Sequence, residues 1–355
     1  MTIYWLLFAF PALMALAYPV KDGFAPNSSG QRLAFLAFIL FYAAIAGLRY
    51  ETGGDWLTYD EMFEDMRVDT LSYALSRTDP IYGFLNWASA QLGTGIFLVN
   101  FICGLVLATG VVRTASRLRE PWLAILIAVP YLMIVVGMGY VRQGAAIGMI
   151  MIALGSLDRS KPFQTVAYLV LAVGFHSTAA IAFPLFGVAL TRKRKVLAVV
   201  MGLIGALAFI YVILPRIGLF ELGYIDQEYD SGGATTRVLM SFIPSVLVLA
   251  RRKAMFSSDT SRSVWVMFAL ANIAALFALV LSPSSTAVDR LALFFSVIQL
   301  AAFGEMRPLA GIGPRTVLLA RAFLILIAAA VQSVWLIFGT HAIFWVPYRS
   351  VFELL

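Results

Sequence analysis

The sequence predicts an all-α protein that crosses a membrane many times. Apolar residues make up 61% of the 355 residues and charged residues 13%, whereas soluble domains average about 45–50% and about 25%. The apolar residues fall into runs of about 17–25 residues, the length that a helix needs to span a bilayer. A transmembrane barrel would instead show alternating segments of about ten residues. We therefore expect a single membrane domain over 1–355.

Ten apolar runs are candidate spanning helices. They lie at 2–20, 32–49, 94–112, 121–138, 141–157, 196–214, 235–250, 263–282, 289–304 and 316–338. The first run has neither a basic n-region nor a small-residue cleavage site, which favours a spanning helix over a signal peptide.

The connecting segments alternate between basic and acidic, and this pattern predicts the orientation. If the basic clusters are placed in the cytoplasm, the cytoplasmic side holds 18 of the 26 basic residues and 5 of the 19 acidic residues. The other side then holds 8 basic and 14 acidic residues. Lys and Arg collect in cytoplasmic loops of membrane proteins, so the net charge of +7 requires no nucleic-acid partner. Both termini and the two long loops, 50–93 and 215–234, are then extracytoplasmic. Aromatic and apolar residues in loop 50–93 predict short interfacial helices.

The segment 163–190 does not fit a simple span, because basic clusters flank both of its ends. It is long for one helix and short for two complete spans. We predict a re-entrant hairpin of two half-length helices that meet near Gly174-Phe175-His176-Ser177, with His176 facing outward. One long tilted helix with an internal histidine is the alternative.

Four arginines lie at the predicted outer ends of spans, where orientation does not explain them: Arg49, Arg142, Arg237 and Arg290. A single such arginine is usually a snorkelling or loop-capping residue. The set of four instead indicates a cavity that binds an anion. The planar guanidinium donates paired hydrogen bonds to phosphate oxygens. We expect Arg142, Arg237 and Arg290 in first turns, where the helix dipole also favours anions.

The other candidate site residues are less specific. The glycine pair Gly53-Gly54 permits a tight turn that directs Asp55 back towards the membrane. Asp289 is either a site residue or a helix cap or salt-bridge partner, and His176 is either a general base or a buried structural histidine. The acids Glu221, Asp226, Glu228 and Asp230 are most simply a solvated loop face.

Metal and cofactor sites are not expected. Cys103 is the only cysteine and His341 is the only histidine besides His176. We therefore expect no internal disulfide, no thiolate cluster and no histidine-rich metal site.

An ordered series of short motifs resembles the EpsG family of exopolysaccharide proteins, which belongs with the Wzy-type polysaccharide polymerases. In chain order the motifs are Arg49…Gly53-Gly54-Asp55…Tyr59, Asp79-Pro80-Ile81-Tyr82-Gly83-Phe84-Leu85-Asn86, Arg142-Gln143, Phe175-His176-Ser177-Thr178, Gly232-Gly233 before Arg237, Asp289-Arg290, and Trp345-Val346-Pro347-Tyr348. The resemblance covers nearly the whole chain. Two motifs depart from the family pattern. This chain has Gly53-Gly54-Asp55-Trp56 where the family has Gly-Thr-Asp-Tyr, and it has Asp79 in place of the glutamate of the family's Glu-Pro-Gly-Tyr. These departures leave the sugar specificity open.

The resemblance implies a bacterial cytoplasmic-membrane enzyme with a GT-C-like architecture and an extracytoplasmic active site. Its substrate would be an oligosaccharide repeat unit on undecaprenyl diphosphate, and its further partners a chain-length regulator and a flippase. An acceptor hydroxyl would attack the anomeric carbon and the lipid diphosphate would leave, without a nucleotide sugar.

Our hypothesis for the site follows from this reaction. It places Arg142, Arg237 and Arg290 on the diphosphate with Arg49 in support, and His176 first and Asp55 second as the base. Tyr59, Gln143, Asp289 and Tyr348 are expected to support the substrate.

Other functions compete with this one. A flippase or transporter would also need an arginine-lined cavity, but is expected to show internal repeats and charges at the midplane, which the sequence lacks. A polysaccharide ligase shares the donor and differs mainly in its acceptor. A membrane-bound acyltransferase would need its histidine open to the cytoplasm. A structural or assembly role would leave the four arginines unexplained.

Overall fold

The computed structural model describes residues 1–18, 29–67, 70–158, 161–191, 194–208, 210, 233–281, 285–305 and 314–354. Within these ranges the secondary structure is helical, which confirms the predicted all-α class. Loop 215–234, with Glu221, Asp226, Glu228 and Asp230, lies outside the described residues except for its last two positions.

The described residues contain sixteen α-helices. They are α1 Thr2–Ala17, α2 Ser29–Leu48, α3 Trp56–Arg67, α4 Leu71–Arg77, α5 Pro80–Gln91, α6 Gly95–Ala115, α7 Pro121–Gly139, α8 Val141–Asp158, α9 Pro162–Phe175, α10 Ala182–Leu190, α11 Lys195–Ala208, α12 Ala234–Met255, α13 Asp259–Leu281, α14 Ser285–Ala292, α15 Ile298–Gly304 and α16 Pro314–Phe338. Short 3₁₀ turns lie at Ser177–Ile181, Leu293–Phe295, Ala342–Phe344 and Val351–Leu354.

Six of these helices are long and apolar enough to cross a membrane, or seven if one bent pair is counted as a span. The six are α2, α6, α7, α12, α13 and most of α16; the bent pair is Ser285–Phe295 with Ile298–Gly304, at 42°. The other predicted runs form shorter apolar helices within the described residues. The number of ten spans and the location of the termini therefore stay predictions.

Helix α7 forms the centre of the bundle. In its most apolar window 94% of the residues are buried, compared with 22% for α16. Its middle part, Val129–Val136, is a π-helix that includes Pro130, and a proline removes a backbone donor from a helix. Helix α16, in contrast, lies at the surface of the bundle, and its many exposed leucine, isoleucine and phenylalanine side chains are suited to contact with lipid.

Small residues allow the helices around α7 to approach closely. Helix α6 packs extensively on both α2 and α8. At the crossing of α6 and α8, a Cβ atom on Gly110 would overlap the backbone of Gly148, and one on Gly148 would lie 2.7 Å from the Cα of Leu107. Glycine at such crossings lets membrane helices pack without an intervening side chain.

The loop 50–93 contains three short helices, α3 to α5. The aromatic residues of α3 point into the protein, whereas those of an interfacial helix would face lipid. Trp56, Tyr59 and Phe63 are at most 5% exposed, and Tyr59 packs on Tyr82 of α5. The apolar face of α3 is therefore covered by the protein, and these helices form a cap over one end of the bundle.

The helix predicted over 163–190 is interrupted near the expected position. Helix α9 ends at Phe175, and His176 has an extended backbone (φ −156°, ψ 114°) before the 3₁₀ turn begins. Helix α9 packs mainly on α8, whereas α10 packs mainly on α11 and α13. The interruption is thus present, but the two helices have different principal neighbours, and their arrangement as a re-entrant hairpin stays a prediction.

Candidate functional site

A cavity of about 200 Å³ lies beneath the cap formed by α3 to α5. Six of the ten residues predicted to form the site line it: Asp55, Tyr59, Arg142, Gln143, His176 and Arg290. Thr58 and Tyr140 complete the lining. Residues separated by more than 230 positions in the chain therefore converge on one small space, and they include two arginines, one carboxylate and one imidazole.

The turn before α3 places Asp55 at the cavity. Gly53 has φ +115°, a conformation that L side chains rarely adopt, and a Cβ atom there would lie close against the carbonyl oxygen of Met138. Its amide donates to the carbonyl of Phe344 at 2.7 Å. The first residue of the glycine pair is thus required by the turn.

The carboxyl group of Asp55 is half-buried and makes no hydrogen bond within the described residues. Burial raises the pKa of Asp55, although the positive charges of Arg290 and Arg142 partly offset that effect. A carboxylate with a raised pKa is a stronger base than one in water, so Asp55 has the properties of a general base.

Asp79 connects Arg142 to His176, and the sequence hypothesis did not include it among the site residues. It precedes Pro80, the first residue of α5, and is 7% exposed. Its Oδ2 lies 3.2 Å from Nη1 of Arg142 and 3.3 Å from Nδ1 of His176, and its Oδ1 accepts from the backbone amide of Ser177 at 2.9 Å. One carboxylate therefore fixes the arginine, the imidazole and the interrupted backbone after α9.

The ionisation of Asp79 follows from these contacts. Burial alone would raise the pKa of Asp79, but the hydrogen bond and charge of His176, together with the charge of Arg142, hold that pKa below its usual range. The group is therefore a carboxylate at neutral pH. With a proton on Nδ1 of His176 directed at this carboxylate, Nε2 is the basic nitrogen of the neutral ring.

Arg142 lies in the first turn of α8, as predicted. Its Nη1 also donates to the hydroxyl of Thr78 at 2.9 Å, and its guanidinium lies 5.7 Å from the ring centres of both Tyr59 and Tyr82. Its Nε is buried and has no hydrogen-bond partner in the described part of the chain. Tyr59 is therefore part of the wall that holds Arg142.

Arg290 is the more exposed arginine of the cavity. Its guanidinium lies 5.3 Å from the ring centre of Tyr140 and makes no hydrogen bond or ion pair within the described residues. The buried amide of Gln143 donates to the carbonyl of Arg290 at 2.5 Å and so fixes its backbone. The expectation of a first-turn position was wrong, because the helix begins at Ser285 and Arg290 lies in its last turn.

Arg237 and Asp289 pair with each other outside the cavity. Nη2 of Arg237 donates to Oδ2 of Asp289 at 2.8 Å, and Nε lies 3.0 Å from Oδ1. Arg237 is in the first turn of α12, as expected, but its charge is directed at α14. Of the alternatives for Asp289, the structure therefore shows the salt-bridge partner. The ion pair connects α12 to α14, the helix that carries Arg290.

Arg49 and Tyr348 also lie away from the cavity. Arg49 is 1% exposed, and its guanidinium donates to the carbonyls of Thr52 and Ala46 and to Oδ1 of Asn100. The hydroxyl of Tyr348 donates to the carbonyl of Ile45 at 2.8 Å. Both residues hold the turn after α2 and the C-terminal segment in place, so the structure gives neither a direct position on a substrate.

The chemical content of the cavity is thus two cations beside two candidate bases. Within the described residues no group of three or more His, Cys, Asp or Glu side chains is arranged to hold a metal ion.

The sequence model of the EpsG family matches residues 32–350, which is nearly the whole chain. The chain belongs to the EpsG family. Neither the curated proteins nor the solved structures contain a match. Membership confirms the resemblance carried by the ordered motifs, and the cavity residues of this EpsG-family protein come from most of those motifs.

Proposed function

We propose that this EpsG-family protein is a polysaccharide polymerase that joins oligosaccharide repeat units carried on undecaprenyl diphosphate. The observation that carries the proposal is the convergence of Arg142 and Arg290 with Asp55 and His176 in one cavity. A glycosyl transfer from a lipid diphosphate requires positive charge at the leaving group and a base at the acceptor hydroxyl. The family membership supports the same class of reaction.

In the proposed reaction, an acceptor hydroxyl oxygen forms a bond to the anomeric carbon of the growing chain. The bond from that carbon to the diphosphate oxygen breaks, and its electron pair leaves with the lipid diphosphate. The hydroxyl proton passes to the base. Each repeat unit added thus releases one lipid diphosphate, and neither a nucleotide sugar nor a redox partner takes part.

Arg290 is our first choice for contact with the diphosphate, because its guanidinium faces the cavity without an ion pair in the described residues. Arg142 is the second, since Asp79 and Thr78 already hold one of its nitrogens. Arg237 and Arg49 support the site through α14 and the turn after α2.

Asp55 and His176 remain the two candidate bases. Asp55 has the raised pKa and no hydrogen-bond partner in the described residues, whereas His176 has a carboxylate partner that sets its tautomer. The cavity volume is below the roughly 300–1,000 Å³ of pockets that enclose a drug-sized ligand. It therefore suits the reacting diphosphate and sugar, with the rest of both substrates outside.

We further propose that the cavity opens to the extracytoplasmic face of a bacterial cytoplasmic membrane. The sorting of basic and acidic connectors supports this orientation. The acidic cap formed by α3 to α5 covers the cavity, whereas the basic residues collect at the opposite helix ends.

Incubation of the purified protein with a lipid-linked repeat unit tests the function. We expect a ladder of products of increasing length without added nucleotide sugar. Replacement of Arg290 by Ala should lower the initial rate by about 10²–10³, the scale of losing one preorganised donor at a transition state. Arg349→Ala is the matched control, since Arg349 is an outer arginine that pairs with Glu51 away from the cavity. Retention of monomer with movement across a vesicle bilayer would identify a flippase and reject the proposal.

A further inference from the structure

A second and larger cavity, of about 430 Å³, lies at the other end of the bundle. Its lining includes Leu154 of α8, and the opposite end of that helix carries Arg142. A rise of about 1.5 Å per residue places these two positions about 18 Å apart along the helix axis. The two cavities therefore lie towards opposite ends of α8.

Part of the lining is cationic and rich in hydroxyl groups: Arg117, Arg119, Ser257, Ser258 and Ser261. Ser261 lies in the first turn of α13, where the helix dipole also favours an anion. The lining acid is Glu305, which is buried with its carboxylate 3.7 Å from Nε of Arg119. The two arginines and the single acid leave the lining with an excess of positive charge.

The position of Arg117 depends on a glycine. Its Nη1 donates to the carbonyl of Arg113 at 2.9 Å, and its guanidinium lies directly over Gly155 of α8. A Cβ atom at Gly155 would overlap the guanidinium nitrogens. The absence of a side chain at residue 155 therefore gives the guanidinium its place at the cavity wall.

The apolar part of the lining consists of Leu118, Leu154, Met255, Phe256 and Trp265. A lining that combines arginine and hydroxyl groups with apolar side chains matches a ligand that has a phosphate and an attached apolar chain. Basic pockets between membrane helices on the cytoplasmic side bind the headgroups of anionic lipids. The basic residues Arg251, Arg252 and Lys253 lie next to this cavity in the sequence and belong to the side predicted to be cytoplasmic.

We propose that this second cavity binds the phosphate of an anionic ligand, and that the ligand is the headgroup of an anionic phospholipid. The guanidinium groups of Arg117 and Arg119 contact the phosphate oxygens, the serine hydroxyls donate further hydrogen bonds, and the acyl chain contacts the apolar residues of the lining. This site is separate from the proposed polymerase reaction and does not depend on it.

Native mass spectrometry of the purified full-length protein tests the site. The probes are phosphatidylglycerol and phosphatidylcholine of equal chain length, with inorganic phosphate as a competitor. We expect the protein to retain phosphatidylglycerol at least about tenfold more tightly, and Arg117→Gln/Arg119→Gln to lose about tenfold or more of that affinity. The matched control is Arg113→Gln, which removes a charge from the same helix end but not from the cavity lining, and should leave the affinity unchanged.

A cavity-filling variant, Ser261→Phe, keeps both arginines and covers the case in which the double variant does not fold. It should also release the lipid. Displacement of phosphatidylglycerol by inorganic phosphate supports recognition of the phosphate itself. Binding of phosphate without phosphatidylglycerol would keep the anion site and reject the lipid as its source. Equal retention of both lipids in the wild type and all variants, with no effect of phosphate, would overturn the proposal.

Discussion

Asp79 is the residue on which the geometry of the cavity beneath α3 to α5 depends most, since it contacts Arg142, His176 and the amide of Ser177 with one carboxylate. Asp79→Asn keeps the shape and an oxygen for Ser177 but removes the charge that pairs with the arginine and orients the imidazole. We expect the polymerisation rate to fall by at least about 10², the scale of a general acid–base contribution. The measurement is the initial rate of ladder formation by purified protein. Asp60→Asn, a neighbouring change in α3 outside the cavity lining, should keep the wild-type rate, and a wild-type rate in Asp79→Asn would contradict this role.

The pH dependence of the rate reports on Asp55. Burial raises the pKa of Asp55 while Arg290 and Arg142 lower it. A base acts only when deprotonated, so activity should be lost as the pH falls through this pKa, at a higher pH than for an ordinary carboxylate. Arg290→Gln removes a charge that lowers the pKa, so the residual activity should disappear at a still higher pH. The test is the pH profile of kcat in both proteins. An acidic limb that stays in place in Arg290→Gln would exclude Asp55 as the base.

At the scale of single residues, sequence reasoning found the cavity but not its organisation. Six of the ten residues named for the site line the cavity, because arginines at helix ends and a carboxylate after a glycine pair are visible in the chain. The role of Asp79 is not visible in its motif, since its contacts come from α8 and from the break after α9. The contacts of Arg49 were not predictable for a related reason: the carbonyl groups around it belong to a turn whose path the residue types do not determine.

At the scale of elements, the position of α14 rests on the ion pair between Arg237 and Asp289. The side chains are 19% and 9% exposed, and breaking a buried pair from one side costs about 3–5 kcal/mol. Arg237→Gln should therefore lower Tm and the polymerisation rate together. Arg237→Gln/Asp289→Asn, in which no unpaired charge is buried, should recover most of both. Thermal unfolding and ladder formation measure the two effects. Recovery of Tm without any recovery of the rate would instead place Arg237 on the diphosphate.

The element boundaries show which features of the sequence predict structure in a membrane protein. Apolar runs located the helices well, because a helix in lipid must satisfy its own backbone and contact an apolar solvent. The start of α14 at Ser285 was missed by four residues, since the chain before Asp289 is not apolar. The buried apolar face of α3 was likewise assigned to a lipid interface, because apolarity alone does not distinguish lipid from protein as the neighbour.

At the scale of the whole molecule, the two cavities and the sorting of charge point to one orientation. The first cavity lies beneath the acidic cap, and the second cavity lies among the basic connectors. Lys and Arg collect in cytoplasmic loops, so the second cavity should face the cytoplasm and the first the opposite side. Thr58 and Ser258 are exposed lining residues of the two cavities and serve as reporters.

Single cysteines at these positions test the orientation directly. The background is Cys103→Ala, which removes the one native cysteine, a buried residue. A membrane-impermeant maleimide should label Thr58→Cys in intact spheroplasts and Ser258→Cys only after permeabilisation. The Cys103→Ala parent should stay unlabelled under both conditions. The reverse labelling pattern would place the first cavity in the cytoplasm. A lipid-linked repeat unit that has been exported across the membrane does not reach the cytoplasm, so this result would reject both the topology and the proposed polymerase.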